Sequence, residues 1–183
     1  MSKGRWEISG ADQKDQALRV ALGELSDNWR RNPMVSWTEM YQTGGQLLEW
    51  KQEKTISGLW TKTPVMITAT LEDGVGQGLK MIHLFSRVAG IDIVPLGLMQ
   101  KETAIITACQ KKAPDFLGMT ILQFDSEERL SHMADKIPEA TQIVVGGPIF
   151  NMMDREELSE KPYIVLNTVS DYIDFLLSRH GDK

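Results

Sequence analysis

The sequence has few of the residues on which disulfides and metal sites depend. Its 183 residues include one cysteine, Cys109, and three histidines. One thiol excludes an internal disulfide and is typical of a reducing compartment such as the cytoplasm. His83, His132 and His180 are far apart in the sequence, which argues against a zinc or iron site. Cys109 falls in an apolar helical pattern and is predicted to be a buried packing residue.

Long apolar runs and an excess of positive charge are missing as well. No run approaches the ~20 apolar residues that a membrane-spanning helix needs. The first ten residues, MSKGRWEISG, contain no apolar stretch of the kind found in secretory signals. A net charge of −5 disfavours non-specific binding to nucleic acid or to an anionic membrane surface. We therefore expect a cytoplasmic protein without nucleic-acid or membrane partners.

No tryptophan occurs after residue 60, although the sequence contains five. The part that holds them has helical patterns: residues 11–31 carry apolar side chains at helical spacing. Ser36 and Glu39 form a predicted capping box for a second helix. Gly44-Gly45 is predicted to break that helix, and a further short helix follows. We therefore predict a helical segment over residues 1–62.

From residue 63 the pattern changes to strands that alternate with helices. Five short runs rich in β-branched and apolar residues are predicted strands: 65–71, 91–95, 116–122, 142–145 and 163–166. Helical crossovers of this length favour a parallel sheet with helices on both faces. Ligands bind such sheets at the carboxyl ends of the strands, where the strand order reverses. We therefore predict an α/β domain over residues 63–183, with its site at that edge.

A glycine-rich loop follows the first predicted strand, in the stretch V-M-I-T-A-T-L-E-D-G-V-G-Q-G. The dinucleotide fingerprint G-x-G-x-x-G is disfavoured, because its third glycine would have to stand where the chain has Leu79. A phosphate-binding P-loop is excluded by the missing G-K-[ST]. The acidic pair Glu72-Asp73 would suit a phospho-acceptor domain. That class also needs an aspartate at the end of the third strand and a lysine after the fifth, and both are missing here.

Four landmarks occur in order between residues 63 and 150. They are Asp73-Gly74-Val75-Gly76-Gln77-Gly78, Val94-Pro95-Leu96-Gly97, Thr120-Ile121-Leu122 and Gly146-Gly147. They resemble the cobalamin-binding domain of corrinoid proteins, whose signature is D-x-H-x-x-G after the first strand, S-x-L or T-x-L in the third and G-G after the fourth, with a V-x-L-G step after the second. The resemblance implies a flavodoxin-like (Rossmann-like) five-stranded parallel sheet and cobalamin, or a related corrinoid, as cofactor. It implies cofactor-binding roles for Asp73, Gly74, Val75, Gly76, Gly78, Thr120, Leu122, Gly146 and Gly147, with the glycines leaving room for the nucleotide tail of the cofactor.

Val75 stands where the family has the histidine that binds cobalt from below. An isopropyl group has no lone pair, so this position offers no metal ligand. Three interpretations stay open at this point. The chain binds cobalamin with its own base displaced and no protein ligand, or it binds a base-on corrinoid or related tetrapyrrole, or the domain is degenerate and serves another purpose.

The resemblance also implies a function. It favours a corrinoid methyl carrier that acts with separate methyltransferase partners, and no pattern in the sequence indicates a self-sufficient active site. The alternative is a regulatory or interaction module that senses a corrinoid or another tetrapyrrole. Whether the protein forms a homodimer stays open.

Overall fold

The computed structural model describes residues 11–72 and 76–179. This part of the chain contains α1 (Ala11–Arg31), α2 (Trp37–Glu53), β1 (Val65–Ala69), α3 (Gln77–Ala89), β2 (Asp92–Gly97), α4 (Glu102–Lys112), β3 (Phe116–Thr120), α5 (Phe124–Ala134), β4 (Gln142–Gly146), a 3-10 helix (Pro148–Met152), α6 (Arg155–Ser159), β5 (Ile164–Val165) and α7 (Val169–Ser178). None of the helices described is long and apolar enough to cross a bilayer.

The five strands form one parallel sheet in the order β2-β1-β3-β4-β5. This confirms the predicted flavodoxin-like α/β fold. The chain moves from β1 to β2 on one side and then returns to β3 on the other, so the switch point lies at β1. The carboxyl ends of β1, β3 and β4 are consequently neighbours at the edge where ligands bind such sheets.

The described residues form two compact units. The sheet unit spans residues 64–83 and 92–168, and the helical unit takes residues up to 63, 84–91 and 169 onward. α7 and the end of α3 thus belong with α1 and α2. The division of the chain at residues 62 and 63 into two domains stays a prediction.

Helices cover both faces of the sheet within the sheet unit. On one face, buried side chains of α4 and α5 pack on β1, β3 and β4: Ile105, Cys109, Leu130 and Met133 on Ile67, Leu117, Met119 and Val145. On the other face Gly118 lies close to Met66 and to Ile82 of α3. Cys109 is buried as predicted, and this burial raises the pKa of its thiol to about 11, which keeps it protonated and unreactive at neutral pH.

Three side chains converge on the carboxylate of Glu127 in α5 and tie the short strand β5 to this helix. Tyr163, just before β5, donates a short hydrogen bond to it, and the Ser131 hydroxyl donates a second at 3.0 Å. The Lys161 ammonium lies 3.0 Å away. Burial alone would raise the pKa of Glu127, but these three partners outweigh it and hold the pKa below its usual value.

The helical unit corrects one prediction. Helix α2 begins at the predicted capping box of Ser36 and Glu39, but it runs without a break through Gly44-Gly45 to Glu53. A Cβ on Gly44 would lie 2.6 Å from Leu84 and 2.9 Å from Phe85. Gly44 is therefore present because α3 packs closely against α2, which the sequence pattern of α2 alone does not reveal.

Candidate functional site

Hydrogen bonds extend the pairing of β1 and β2 beyond the ends of both strands. The Thr70 amide donates to the carbonyl of Gly97 at 3.1 Å, and the Gln100 amide donates to the carbonyl of Thr70 at 2.8 Å. The Met99 amide donates to the carbonyl of Glu72 at 3.2 Å. Met99 adopts a φ of 54°, a left-handed conformation that is unusual for a methionine. The loop after β2 is thus held directly beside the end of β1.

Glu72 joins the end of β1 to the end of β3. Its side chain is only 7% exposed, and its carboxylate accepts the Leu122 amide at 2.8 and 2.9 Å and the Gln123 amide at 2.9 Å. Gln123 is the N-cap residue of α5, so the carboxylate lies at the positive end of that helix dipole. The carboxylate thereby satisfies the amide of the N-cap residue and the amide of Leu122 just before it.

Thr120 fills the space between the start of α3 and the end of β3. A Cβ added to Gly78, the second residue of α3, would overlap the methyl group of Thr120. The Thr120 carbonyl also accepts a hydrogen bond from the Thr70 hydroxyl at 3.0 Å. Gly78 and Thr120, which the resemblance assigned to one site, are therefore in direct contact.

Gly146 and Gly147 let the ends of β3, β4 and β5 approach one another. Gly147 has a φ of +144°, and a Cβ there would overlap the carbonyl oxygen of Ile121. The Ile121 amide donates to the Gly146 carbonyl at 2.9 Å. A Cβ on Gly146 would lie 3.0 Å from the carbonyl oxygen of Leu166. The sequence resemblance implies that glycines leave room for the nucleotide tail of the cofactor. In the structure, Gly146 and Gly147 lie close to the backbone of Leu166 and Ile121.

Exposed apolar side chains surround these strand ends. They form what we call the apolar rim: Leu98 and Met99 after β2, Leu122 and Phe124 after β3, and Met152 after β4. Their exposure ranges from 38% to 68%. Several large apolar side chains exposed at the edge where such sheets bind ligands are typical of a surface that contacts a ligand or partner. The apolar rim therefore indicates a binding surface for a broad, largely apolar ligand.

The structure brings most of the predicted site residues to this one edge. Those within the described residues are Gly76, Gly78, Thr120, Leu122, Gly146 and Gly147. Gly76 lies beside Leu98: a Cβ added to Gly76 would be 3.3 Å from a methyl group of Leu98. Asp73, Gly74 and Val75 lie outside the described residues. The cofactor-binding roles of all nine stay predictions.

The sequence predictions missed Glu72 as a member of this site, along with most of the apolar rim. The signal for Glu72 is a carboxylate directly after a buried strand, at the edge where the sequence predicts the site, but the family signature begins only at Asp73. Its partners are amides some 50 residues further along the chain, at Leu122 and Gln123. A sequence pattern gives no information on such pairing.

Comparison with known families identifies the domain that contains this edge. Residues 64–169 match the profile of the B12 binding domain. The chain belongs to the B12-binding domain family. None of the curated proteins with which it was compared is similar enough in sequence to count as a relative.

Solved structures share the fold of this B12-binding chain. A novel cobalamin-binding protein from Desulfitobacterium hafniense matches with a TM-score of 0.71 at 12% identity, over 90% of this chain and 80% of that one. The methanol:cobalamin methyltransferase complex from Methanosarcina barkeri matches with a TM-score of 0.59 at 18% identity, over 92% and 68% of the two chains. The monomethylamine corrinoid protein of the same organism matches with a TM-score of 0.56 at 14% identity, over 92% and 99%.

The family match supports cobalamin, or a related corrinoid, as the cofactor of this B12-binding domain. The apolar rim suits the broad, apolar face of a corrin ring, whose periphery carries methyl groups together with amide side chains. The strand ends meet at the switch point, which is where this class of sheet binds its ligands. The described residues thus fit the ring of the cofactor.

Proposed function

We propose that this protein is a cobalamin-binding methyl carrier that acts with separate methyltransferase partners and without a histidine ligand below the cobalt. The observation that carries the proposal is the apolar rim around the ends of β2, β3 and β4. Two neighbours of the same fold support it by their names, one a methanol:cobalamin methyltransferase complex and the other a monomethylamine corrinoid protein.

The residues of the chain would hold the cofactor rather than react with it. When bound, cobalamin supplies a cobalt atom that accepts and gives up a methyl group. Leu98, Leu122 and Phe124 would shield one face of the ring from water, while the other face stays open to a partner protein. Val75 offers no donor atom, so the chain itself contributes no ligand at that position. The cytoplasmic location stays a prediction.

If the protein is such a methyl carrier, the purified chain must bind cobalamin without any partner protein. We expect methylcobalamin to co-elute with the protein in gel filtration and its absorbance bands to shift on titration. A regulatory module that binds only other proteins would give neither result. Absence of both co-elution and band shift, with methylcobalamin and with hydroxocobalamin, would overturn the proposed function.

Replacing Phe124 by glutamate tests the apolar rim directly. Phe124 is the first residue of α5, where an acidic side chain suits the helix dipole, so we expect the fold to be retained. The charge would face the apolar ring, and we expect the affinity for methylcobalamin to fall by at least about tenfold in titration calorimetry.

The matched control is Met34→Glu. Met34 is 93% exposed and lies between α1 and α2 in the helical unit. It carries the same change from a large apolar side chain to a charge, and we expect it to leave the affinity unchanged. Equal losses in the two variants would show that charge, and not the apolar rim, determines binding.

A further inference from the structure

Methionines occupy two kinds of place among the described residues. Met66, Met119 and Met133 are at most 1% exposed and fill the core of the sheet unit, which is the usual role of this flexible side chain. Met99 and Met152 are 64% and 68% exposed and belong to the apolar rim. Core packing therefore does not explain why these two positions carry methionine.

The two exposed methionines are attached to well-anchored backbone at the ligand-binding edge. The Met99 amide donates to the Glu72 carbonyl at 3.2 Å. Met152 is the last residue of the 3-10 helix after β4, in which Ile149 and Phe150 are buried. In the sheet β1 and β3 lie between β2 and β4. The two methionines, one after β2 and one after β4, therefore flank the ends of the central strands.

The thioethers of Met99 and Met152 are of a type that hydrogen peroxide oxidises, and this reaction follows exposure. The sulfur attacks one peroxide oxygen, the O–O bond breaks as the S–O bond forms, and the attacked oxygen gives its proton to the leaving hydroxide, which becomes water. The sulfur loses two electrons and the peroxide gains them. Cys109, the only thiol of the chain, does not compete, because burial raises its pKa and keeps it protonated.

Oxidation would change the chemical character of the apolar rim and leave the buried core as it is. A sulfoxide carries a strongly polar S–O group in place of an apolar thioether. A polar group that loses its water against an apolar surface without gaining a hydrogen bond opposes binding. Because Met99 and Met152 flank the strand ends, two sulfoxides would place such groups on both sides of the surface that receives the corrin ring.

We propose that Met99 and Met152 are sites of reversible oxidation by peroxide, and that their conversion to sulfoxides releases the corrinoid from the apolar rim. The proposal rests on the proposed function, because it concerns how tightly the same rim holds cobalamin. Reversal needs a methionine sulfoxide reductase and a dithiol, which becomes a disulfide while the sulfoxide oxygen leaves as water. The chain would thus hold its cofactor under reducing conditions and give it up in the presence of peroxide.

Mild oxidation of the cofactor-free protein tests this sequence of events. After peroxide treatment and removal of the peroxide with catalase, peptide mass spectrometry measures the sulfoxide at each methionine. We expect Met99 and Met152 to be oxidised at least about fivefold faster than Met119 and Met133. Titration calorimetry should then give an affinity for methylcobalamin at least about tenfold below that of the untreated protein. Methionine sulfoxide reductases A and B with dithiothreitol should restore the affinity.

Leucine variants assign the effect to the two positions. Met99→Leu combined with Met152→Leu removes both sulfurs and keeps apolar side chains of similar size. Each protein is compared with its own untreated form, and we expect peroxide to change the affinity of the double variant by less than about twofold. The matched control is Met34→Leu, which removes an exposed thioether from the helical unit and should lose affinity on oxidation as the wild type does. Circular dichroism melting before and after treatment verifies that each protein is folded.

Protection by the bound cofactor gives a readout that does not depend on affinity. With methylcobalamin bound, we expect the oxidation of Met99 and Met152 to slow by at least about fivefold, because the ring covers their side chains. The oxidation rate of Met34 should stay the same. If methylcobalamin binds and leaves the rates at Met99 and Met152 unchanged, the ring does not lie on these side chains and the inference is overturned.

The two proposals fail in different ways. If the untreated protein does not bind methylcobalamin, the proposed function fails and this inference fails with it. If the untreated protein binds methylcobalamin but oxidation leaves the affinity unchanged, or lowers it equally in the double leucine variant, the assignment of Met99 and Met152 is wrong while the methyl-carrier function stands. Equal rates of oxidation at Met99 and at the buried Met119 would also contradict it.

Discussion

Gly147→Ala is expected to destabilise the protein by about 4 kcal/mol, a large part of the free energy of unfolding of a typical domain. Gly147 has a φ of +144°, which side chains other than glycine adopt only with strain. The new Cβ would overlap the Ile121 carbonyl oxygen, and that backbone is fixed because the Ile121 amide donates to Gly146. Neither side can move away without breaking the sheet.

Urea unfolding followed by circular dichroism measures this effect. The matched control is Gly45→Ala in α2, where an added Cβ meets no atom within 4 Å. Alanine is the better helix former, so we expect the control to stabilise the protein by about 0.5 to 1 kcal/mol. If Gly147→Ala stays within about 1 kcal/mol of the wild type, the close approach of β3 and β4 described above does not occur.

The second large effect is expected for Glu127→Gln, at about 2 to 3 kcal/mol of destabilisation at pH 7. The amide keeps the shape of the side chain but loses the charge that the Tyr163 hydroxyl and the Lys161 ammonium bind. Both partners, which are largely shielded from water, would keep only a weaker acceptor. Urea unfolding at pH 7 gives the difference.

The pH dependence of this loss identifies its cause. The folded state lowers the pKa of Glu127, so at acid pH the folded protein binds fewer protons than the unfolded chain. The stabilisation is therefore complete above the unfolded value of about 4.3, and it is lost as the pH falls through that value and then through the lower folded one. We expect the gap between wild type and Glu127→Gln to shrink over this range.

Glu157→Gln is the control for the interaction between Glu127 and Lys161. Glu157 lies 3.4 Å from the same ammonium but is more than half exposed, and surface ion pairs contribute at most about 1 kcal/mol. We expect Glu157→Gln to lower the free energy of unfolding only slightly and to leave its dependence on acid pH almost unchanged. A gap for Glu127→Gln that stays constant from pH 7 to acid would mean that packing, and not charge, accounts for the effect.

The sequence predicted the sheet well because local patterns determine it. Each strand from β1 to β4 is a short, largely apolar run bounded by helical periodicity, and helical crossovers between such runs favour parallel pairing. Three strands are shorter than predicted: β1 ends at Ala69 and not at residue 71, β3 ends at Thr120 and not at residue 122, and β5 covers only Ile164–Val165 of the predicted 163–166. Tyr163 uses its side chain to bind Glu127 at the edge of the sheet, and such a long-range contact leaves no periodic signal.

Prediction of the site was limited in the same way, because sequence patterns reveal local motifs but not long-range contacts. The glycine and threonine landmarks are local motifs, and their positions at one edge follow from the strand order. The exposure of Phe124 and Met152 depends on what the folded chain leaves uncovered, and apolar residues at such positions are usually assigned to a core. The bridge from Glu72 to Leu122 depends on the adjacency of two strands that are distant in sequence.

The inaccessibility of Cys109 makes the chain convenient for optical work. Its only thiol is buried and protonated at neutral pH. A cysteine introduced at the exposed position of Met152 would therefore be the single site that a maleimide dye reaches. Corrinoids absorb strongly in the visible range, so a fluorophore attached there would be quenched when the pigment docks nearby, and one labelled sample would report occupancy in real time.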